Sequence, residues 1–191
     1  IRDTIMQGAK IDSFGVGERM ITSKSDPVFG GVYKLVAVEK DGEIEPKIKI
    51  SENVQKITLP HFKTVFRLFE ATSNKAIADV ICTHDEIIDD RKPYVLFDPE
   101  YTWKHKTVTD YRAEPLMRKI FENGALVYKI PDTDAVREHC ATQLTRLWDE
   151  VKRFENPHKY YVDYSEKLWN LRAELLAKRD WESAPSSSPD M

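Results

Sequence analysis

The sequence predicts a mixed α/β protein that is α+β in its own residues, with strands in the middle and helices at the end. The middle third carries short runs of β-branched and aromatic residues separated by polar turns, which is typical of antiparallel strands. The last third repeats apolar residues every three or four positions, the period of an amphipathic helix. The chain has 191 residues and is 41% hydrophobic, which is enough to bury a core, so a disordered protein is excluded.

The first residues have the order helix, loop, strand. Residues 1–7 are predicted to end a helix that closes at Gly8, and residues 11–14 to form a short strand. Because the chain opens inside such a unit, and with Ile rather than Met, we expect it to be the C-terminal piece of a longer protein. The segment 13–35 then holds four of the seven glycines: Gly15, Gly17, Gly30 and Gly31.

The next segment is predicted to form a β-hairpin and four further strands. Asp41-Gly42 is typical of a tight hairpin turn, and we expect it to join a strand at residues 32–38 to one at residues 47–50. The further strands share a high content of β-branched and aromatic residues and are expected at residues 64–69, 76–82, 94–97 and 105–111.

Two helices are predicted after Glu114. The first begins at Pro115 and ends before Gly124, because proline favours the first helical position and glycine follows the last turn. The second covers residues 134–154 and stops at Asn156-Pro157. Its apolar stripe consists of Val136, Cys140, Leu144, Leu147, Val151 and Phe154.

A third helix is predicted near the end of the chain. Asp163 and Glu166 form a capping pattern at its start. Its buried stripe is expected to contain Tyr164, Leu168, Leu171 and Leu175. Residues 181–191 are rich in Ser and Pro and are predicted to be a disordered tail.

Charge and cysteine content narrow the classes of function. Lys and Arg number 29 against 32 Asp and Glu, so no basic field favours nucleic acid or an anionic membrane, and we expect a small molecule or a protein as the partner. Cys82 and Cys140 match no metal or disulfide spacing, which is typical of a reducing compartment. No apolar run has the length of a membrane span or signal peptide, so the protein is predicted to be cytoplasmic.

The stretch that carries chemistry is the turn Gly15-Val16-Gly17, which follows the first predicted strand. Glycine lets the backbone turn sharply and present consecutive N–H groups to a ligand with no Cβ in the way, as in anion-binding turns. Ordinary turns show the same spacing. A structural turn and a phosphate-binding loop therefore both remain open on spacing alone.

Several motifs, in a fixed order, resemble one known family. They are FGVGERMITSKSDPVFGGVYKLVAV at residues 14–38, PKIKISENVQKITLP at 46–60, KTVFRLF at 63–69 and NPHKYYVDYSEKLWNLRAEL at 156–175. Together they resemble the C-terminal part of the nicotinate phosphoribosyltransferases. The resemblance covers most of residues 1–178.

This resemblance implies a fold. Residues 1–30 would be the end of an irregular α/β barrel of the type II phosphoribosyltransferase kind, with its phosphate-binding loop. Residues 31–112 would form a mainly β region and residues 113–180 a C-terminal helical region. The placement of a loop for phosphate at the barrel mouth agrees with the general position of sites in such barrels.

The resemblance also implies an activity. The whole protein would convert nicotinate and phosphoribosyl pyrophosphate to nicotinate mononucleotide and pyrophosphate in NAD salvage. It would use Mg²⁺, hydrolyse ATP as a co-substrate and work as a homodimer. The alternative is a non-catalytic phosphoribosyltransferase-like module or scaffold.

By the same resemblance, the 5′-phosphate of the phosphoribosyl group would be bound by Gly15, Val16, Gly17, Glu18 and Arg19. Many family members have Thr after the second glycine, where this chain has Glu18-Arg19. A carboxylate that faces a phosphate is unfavourable, so we expect Glu18 to point away or to act through magnesium or water, while Arg19 supplies positive charge. The family's catalytic residues and phosphorylatable histidine are expected upstream of Ile1, so no catalytic or metal-binding residue and no independent activity are expected here.

Other residues allow two interpretations. Alternation favours Tyr33 in a core or interface and Lys34 on a solvated edge, with ligand contact as the alternative. His84-Asp85 resembles an acid–base pair or metal ligand, but without a second ligand nearby it indicates a turn. Both cysteines are expected to be buried and inert. Four lysines are either a basic rim for pyrophosphate or ordinary exposed strand residues: Lys47, Lys49, Lys56 and Lys63.

Overall fold

The computed structural model describes residues 1–28, 30–53 and 56–182, with side chains described as far as Lys178. The chain divides into two compact units, Ile1–Lys34 and Leu35–Met191. The predicted mixed α+β class with antiparallel sheets is confirmed. No helix in the described part of the chain has the length and apolar character needed to cross a membrane.

The first unit contains two short helices. Helix α1 (Arg2–Met6) ends as predicted before Gly8, whose φ of +83° lies in the left-handed region that favours glycine. Helix α2 (Glu18–Ile21) follows the glycine turn. The strand predicted at residues 11–14 is wrong, because no described segment pairs with these residues and a strand needs a hydrogen-bonded partner.

The second unit begins with the hairpin of β1 (Ala37–Lys40) and β2 (Glu43–Pro46). Asp41 and Gly42 both have positive φ, 54° and 83°, which confirms the predicted tight turn. The second strand was predicted at residues 47–50, and this is wrong. A two-residue turn pairs Lys40 directly with Glu43, so the returning strand starts immediately after Gly42.

Five strands follow: β3 (Lys63–Glu70), β4 (Ala76–Thr83), β5 (Tyr94–Phe97), β6 (His105–Val108) and β7 (Tyr111–Pro115). The first three confirm the predicted strands. The single strand predicted at residues 105–111 is divided into β6 and β7, because Asp110 adopts a φ of 51° and ends the extended conformation between them.

The helix predicted from Pro115 to Gly124 is wrong. These residues contain a second small hairpin of β8 (Phe121–Glu122) and β9 (Ala125–Leu126). Asn123 and Gly124 have φ values of 48° and 78°, the signature of an Asn-Gly hairpin turn. Glycine here closes a hairpin rather than a helix.

The long helix predicted at residues 134–154 is present as two helices, α3 (Thr133–Thr145) and α4 (Asp149–Lys152). Asp132 caps α3 by accepting a hydrogen bond from the Ala135 N–H at 2.8 Å. Most of the predicted apolar stripe is exposed, and α3 buries none of its residues, while Leu147 and Val151 are half-buried. Apolar spacing indicates which residues share one face of a helix, but it does not indicate whether another part of the protein packs against that face.

Strand β10 (Val162–Tyr164) and helix α5 (Glu166–Glu182) complete the described chain. The predicted capping pair is wrong, because Asp163 lies within β10 and Ser165 caps the helix: its Oγ accepts from the Leu168 N–H at 3.2 Å. Leu168 is fully buried, as predicted. Residues 183–191, most of the predicted tail, lie outside the described residues.

The main sheet has the strand order β10-β4-β3-β7. Its pairs are antiparallel except for β10 and β4, which are parallel. Strands β5 and β6 form a separate antiparallel pair beside it. The core between these elements consists of Leu68, Ala78, Val80, Cys82, Ile88, Leu96, Val108 and Tyr111.

Candidate functional site

The glycine turn has open space around it. Gly17 adopts φ −90° and ψ −161°, and neither it nor Gly15 has a φ in the left-handed region. A Cβ built at Gly15 or Gly17 would meet no atom of the described residues within 4 Å, apart from the adjoining residues of the chain. The backbone geometry therefore does not require glycine at either position, and the space in front of both residues is free for a ligand.

The N–H groups of this turn are unpaired within the described residues. Gly15, Val16 and Gly17 donate no hydrogen bond to another described residue. The adjoining helix is closed by Thr22, whose N–H and hydroxyl both donate to the Glu18 carbonyl, at 2.9 and 2.7 Å. The turn can thus donate several hydrogen bonds to an acceptor from outside.

Glu18 and Arg19 are consecutive residues of α2, and both are exposed. Successive residues on a helix are about 100° apart around its axis, so their side chains leave the helix in different directions. The expectation was that Glu18 points away from the phosphate or acts through magnesium or water, while Arg19 supplies positive charge. The roles of the residues from Gly15 to Arg19 stay predictions.

The other sequence candidates mostly have structural roles. Tyr33 is fully exposed, so its predicted place in a core is wrong, while a place in an interface stays a prediction. Lys47 pairs with Glu45. Lys63 donates to the carbonyls of Leu59 and His61 at 2.9 and 2.7 Å, and burial lowers its pKa. Lys63 is therefore bound to its own loop rather than free on a rim.

His84-Asp85 lies in a turn, as the second interpretation predicted. The His84 Nδ1 atom is 4.0 Å from Asp85 Oδ1, and the imidazole stacks on His61 at 5.4 Å between ring centroids. Asp85 instead accepts hydrogen bonds from Lys167 and from the Thr83 hydroxyl, and these hold its pKa well below the usual value. The pair is a structural turn linked to α5.

The two cysteines differ. Cys82 is buried as predicted, and burial raises the pKa of its thiol to about 12, so it stays protonated and inert. Cys140 is exposed on α3, so its predicted burial is wrong. Cys140 belongs to the part of the predicted stripe that is exposed among the described residues.

A group of polar residues missed by sequence reasoning lies between β3, β4 and the segment before β10. Arg67 donates to both Asp79 carboxylate oxygens, at 2.7 and 2.9 Å, and the Tyr160 hydroxyl donates to Oδ1 at 2.8 Å. This pairing raises the pKa of Arg67, and burial raises that of Tyr160. The sequence did contain a signal for this group, because Arg67 and Asp79 each lie near the centre of an otherwise largely apolar strand.

Two further aspartates, Asp98 and Asp163, were also missed as a pair. Both are buried, and both line the same cavity, of about 600 Å³, beside Trp169. Asp98 follows β5 directly, and Asp163 interrupts the aromatic run YYVDY, which was the signal available in the sequence. The described residues contain no group of three or more His, Cys, Asp or Glu side chains that could hold a metal ion.

Comparison with known proteins gives one consistent family. The family described as "Nicotinate phosphoribosyltransferase C-terminal domain" matches residues 62–172. A nicotinate phosphoribosyltransferase from Bacillus subtilis is 40% identical over 170 residues, covering 89% of this chain and 35% of that protein. The human nicotinate phosphoribosyltransferase is 30% identical over 171 residues, covering 90% of this chain and 31% of that protein.

A solved structure shows the same similarity in three dimensions. The crystal structure of human nicotinic acid phosphoribosyltransferase aligns with a TM-score of 0.63 and 29% identity, over 77% of this chain and 27% of the human chain. The chain thus spans about a third of the length of the relatives that it matches.

Proposed function

The chain belongs to the nicotinate phosphoribosyltransferase family, and from this membership we propose that it is the C-terminal portion of an enzyme that converts nicotinate and phosphoribosyl pyrophosphate to nicotinate mononucleotide and pyrophosphate in NAD salvage. The observation that carries this proposal is the match of residues 62–172 to the C-terminal domain of that family. Those residues include the whole main sheet and the start of α5.

Within this function, the first unit is the end of the catalytic barrel and the glycine turn binds the 5′-phosphate of the phosphoribosyl group. The support is the free N–H groups of Gly15, Val16 and Gly17 and the open space in front of the two glycines. An anion held by several backbone N–H groups needs no side chain on that face. Arg19 adds positive charge, and Glu18 is directed elsewhere around α2.

Magnesium and ATP enter this proposal as the cofactor and co-substrate of the whole enzyme. The described residues do not form a metal site of their own, so we assign no magnesium ligand in this chain and derive no step through either group. In this proposal the enzyme is a homodimer, as the family resemblance implies, and it is cytoplasmic, as the lack of a long apolar run in the sequence predicts. Residues of the present chain bind and orient the phosphate end of the substrate rather than perform the transfer.

A chimera tests the proposal. The matching segment of the Bacillus subtilis relative, which is 40% identical, is replaced by this chain, and nicotinate mononucleotide formation from nicotinate, phosphoribosyl pyrophosphate and Mg-ATP is measured. We expect an active chimera. In the chimera, Gly17→Asp should lower kcat/KM by about 100-fold or more. The new carboxylate repels the phosphate and occupies the space in which the phosphate would accept hydrogen bonds from the backbone.

Gly30→Asp is the matched control, since it adds the same charge to the same unit, also with no atom within 4 Å of the new Cβ. Its activity should stay within about threefold of the parent chimera. Equal activity of Gly17→Asp and Gly30→Asp would contradict the phosphate site and leave the family function intact. A folded but inactive parent chimera would favour the non-catalytic module.

A further inference from the structure

A second site candidate lies in the second unit, away from the glycine turn in the sequence. The cavity of about 600 Å³ is bounded by the end of β5, by β10 and by the first turn of α5. A neighbouring cavity of about 780 Å³ shares four of its lining residues. Those four are Asp98, Lys159, Tyr161 and Asp163. This size is typical of sites for small organic ligands.

Asp163 is the unusual group in this cavity. The residue is 5% exposed, and no described residue donates a hydrogen bond to its carboxylate. Lys159 acts on Asp163 through its charge, but it donates no hydrogen bond to that carboxylate, and its Nζ lies 3.6 Å from Glu100 Oε2. The Asp163 carboxylate lines the cavity and has no donor among the described residues, so it is available to accept hydrogen bonds from a ligand there.

Three carboxylates line the cavity, those of Asp98, Glu100 and Asp163, against the two cations Lys159 and Arg172, so the charges favour a cation over an anion. The charged and titratable groups that act on Asp163 are Asp98, Lys159 and the hydroxyl of Tyr94. Asp98 Oδ1 is occupied by the N–H groups of Glu100 and Tyr101, at 2.8 and 3.1 Å, which leaves its second oxygen without these bonds. Burial, together with Asp98, raises the pKa of Asp163 to about 6. Above that value two buried carboxylates share the cavity.

Aromatic side chains also line the cavity, among them Tyr164 and Trp169. Trp169 contacts Tyr164 with 6.5 Å between ring centroids, and Phe97 edge-on at 5.9 Å. The guanidinium of Arg172 already lies 5.8 Å from the Trp169 ring centre. Such rings offer flat apolar area to the body of a ligand and attract its positive charge.

We propose that this cavity binds a small organic cation, a primary ammonium on an aromatic body, with Asp163 as its ion-pairing group and the ring of Trp169 as its apolar wall. The ammonium supplies the hydrogen bonds that the Asp163 carboxylate lacks. None of the residues that line this cavity belongs to the glycine turn.

The test uses the 191-residue chain and benzylammonium as the probe, with benzyl alcohol as the neutral analogue of similar size. Binding is measured by calorimetry, and its place by shifts of the Trp169 indole signal in ¹⁵N NMR spectra. Benzylammonium should bind at least about tenfold more tightly than benzyl alcohol, and Asp163→Asn should abolish that preference. Asp134→Asn, an equal charge removal at a side chain 90% exposed on α3, should change neither affinity by more than about twofold.

A measurement of the unchanged chain makes the outcome independent of the variants' folding. The preference for benzylammonium should shrink as the pH falls from about 7.5 to about 5, because Asp163 becomes neutral while the ammonium stays charged. Equal affinity for both probes at about pH 7.5, or no binding of either, would overturn the proposal. So would a preference that survives Asp163→Asn in a variant with native NMR dispersion.

Discussion

Two buried aspartates on neighbouring strands show how differently one residue type can be used. Asp79 of β4 pairs in register with Val162 of β10, and Asp163 pairs with Val80. Successive residues of a strand point to opposite faces, so the two carboxylates lie on different faces of the sheet. Asp79 receives three hydrogen bonds from Arg67 and Tyr160, whereas Asp163 receives none from the described residues. The first stabilises the fold; the second destabilises it.

The cost of Asp163 should depend on pH. Its pKa in the folded chain is about 6, above the ordinary value of 3.8, so the folded state binds the additional proton and loses stability as the pH rises between these values. At about pH 7 the loss amounts to about 3 kcal/mol. The stability difference between Asp163→Asn and the unchanged chain is measured by denaturant unfolding at two pH values. This difference should favour the variant by about 3 kcal/mol more at about pH 7 than at about pH 3.5.

The comparison at the lower pH is the control, because Asp163 is then protonated in the folded state and mostly protonated in the unfolded state, so the two chains differ mainly by an isosteric substitution. A stability difference that stays constant over this range would show that Asp163 has a cation or donor that keeps it charged.

At the scale of secondary structure, local signals were sufficient where one residue type decides the geometry. The turn at Asp41-Gly42 and the strands β3, β4 and β5 could be predicted because β-branched runs and positive-φ turns are local properties. The helix predicted before Gly124 failed because glycine follows helices and closes hairpins alike, and Asn123 decides between them. The predicted cap of α5 was wrong for a related reason. Ser165 lies between Asp163 and Glu166, which match the capping pattern, but β10 includes Asp163 and ends at Tyr164, so Ser165 is the residue that caps the helix.

The phosphate-binding interpretation could be made from the sequence because Gly15 and Gly17 lie within one ordered set of motifs. The sequence did not allow us to predict the ion pair of Arg67 and Asp79 or the cavity at Asp163. Arg67 and Asp79 are 12 residues apart and meet only through the register of β3 and β4, while Tyr160 is 81 residues from Asp79. Burial, which makes these charges unusual, is a property of the assembled sheet.

Ser165 joins α5 to the main sheet, and its removal should measure that connection. Its Oγ accepts from the Leu168 N–H and its hydroxyl donates to Glu86 at 2.7 Å. Ser165→Ala leaves both groups without this partner next to the fully buried Leu168, so the free energy of unfolding should fall by about 1–3 kcal/mol. Urea unfolding followed by circular dichroism measures it.

Ser73→Ala provides the matched control, because it removes an exposed hydroxyl in the turn between β3 and β4 that donates to Glu70. Its cost should stay below about 0.5 kcal/mol. Equal costs for the two variants would mean that the Ser165 cap does not stabilise α5.

At the scale of the whole molecule, burial is confined to one of the two units. The hydrophobic core consists of residues between Leu68 and Leu168, and no described residue of Ile1–Lys34 is buried. Large apolar side chains are exposed in both units, among them Met20 at 70%, Phe121 at 65% and Phe154 at 91%. Since the chain spans about a third of its relatives, such surfaces agree with the proposal that it works as part of a larger enzyme.

This distribution predicts that the sheet folds without the first unit. Deletion of residues 1–34 removes no core residue, so the shortened chain should keep a cooperative thermal transition within about 5 °C of the full chain. Leu168→Ala in the shortened chain should lower the free energy of unfolding by about 2–5 kcal/mol, because it opens a cavity between α5 and β4. A loss of this size would identify the observed transition as the unfolding of the main sheet. Loss of cooperative unfolding on deletion would instead show that the unit carrying the glycine turn is part of the same folding unit. In that case, substitutions in the glycine turn would also affect the main sheet. If the second unit folds independently, the glycine turn can be changed in the chimera while the second unit stays intact.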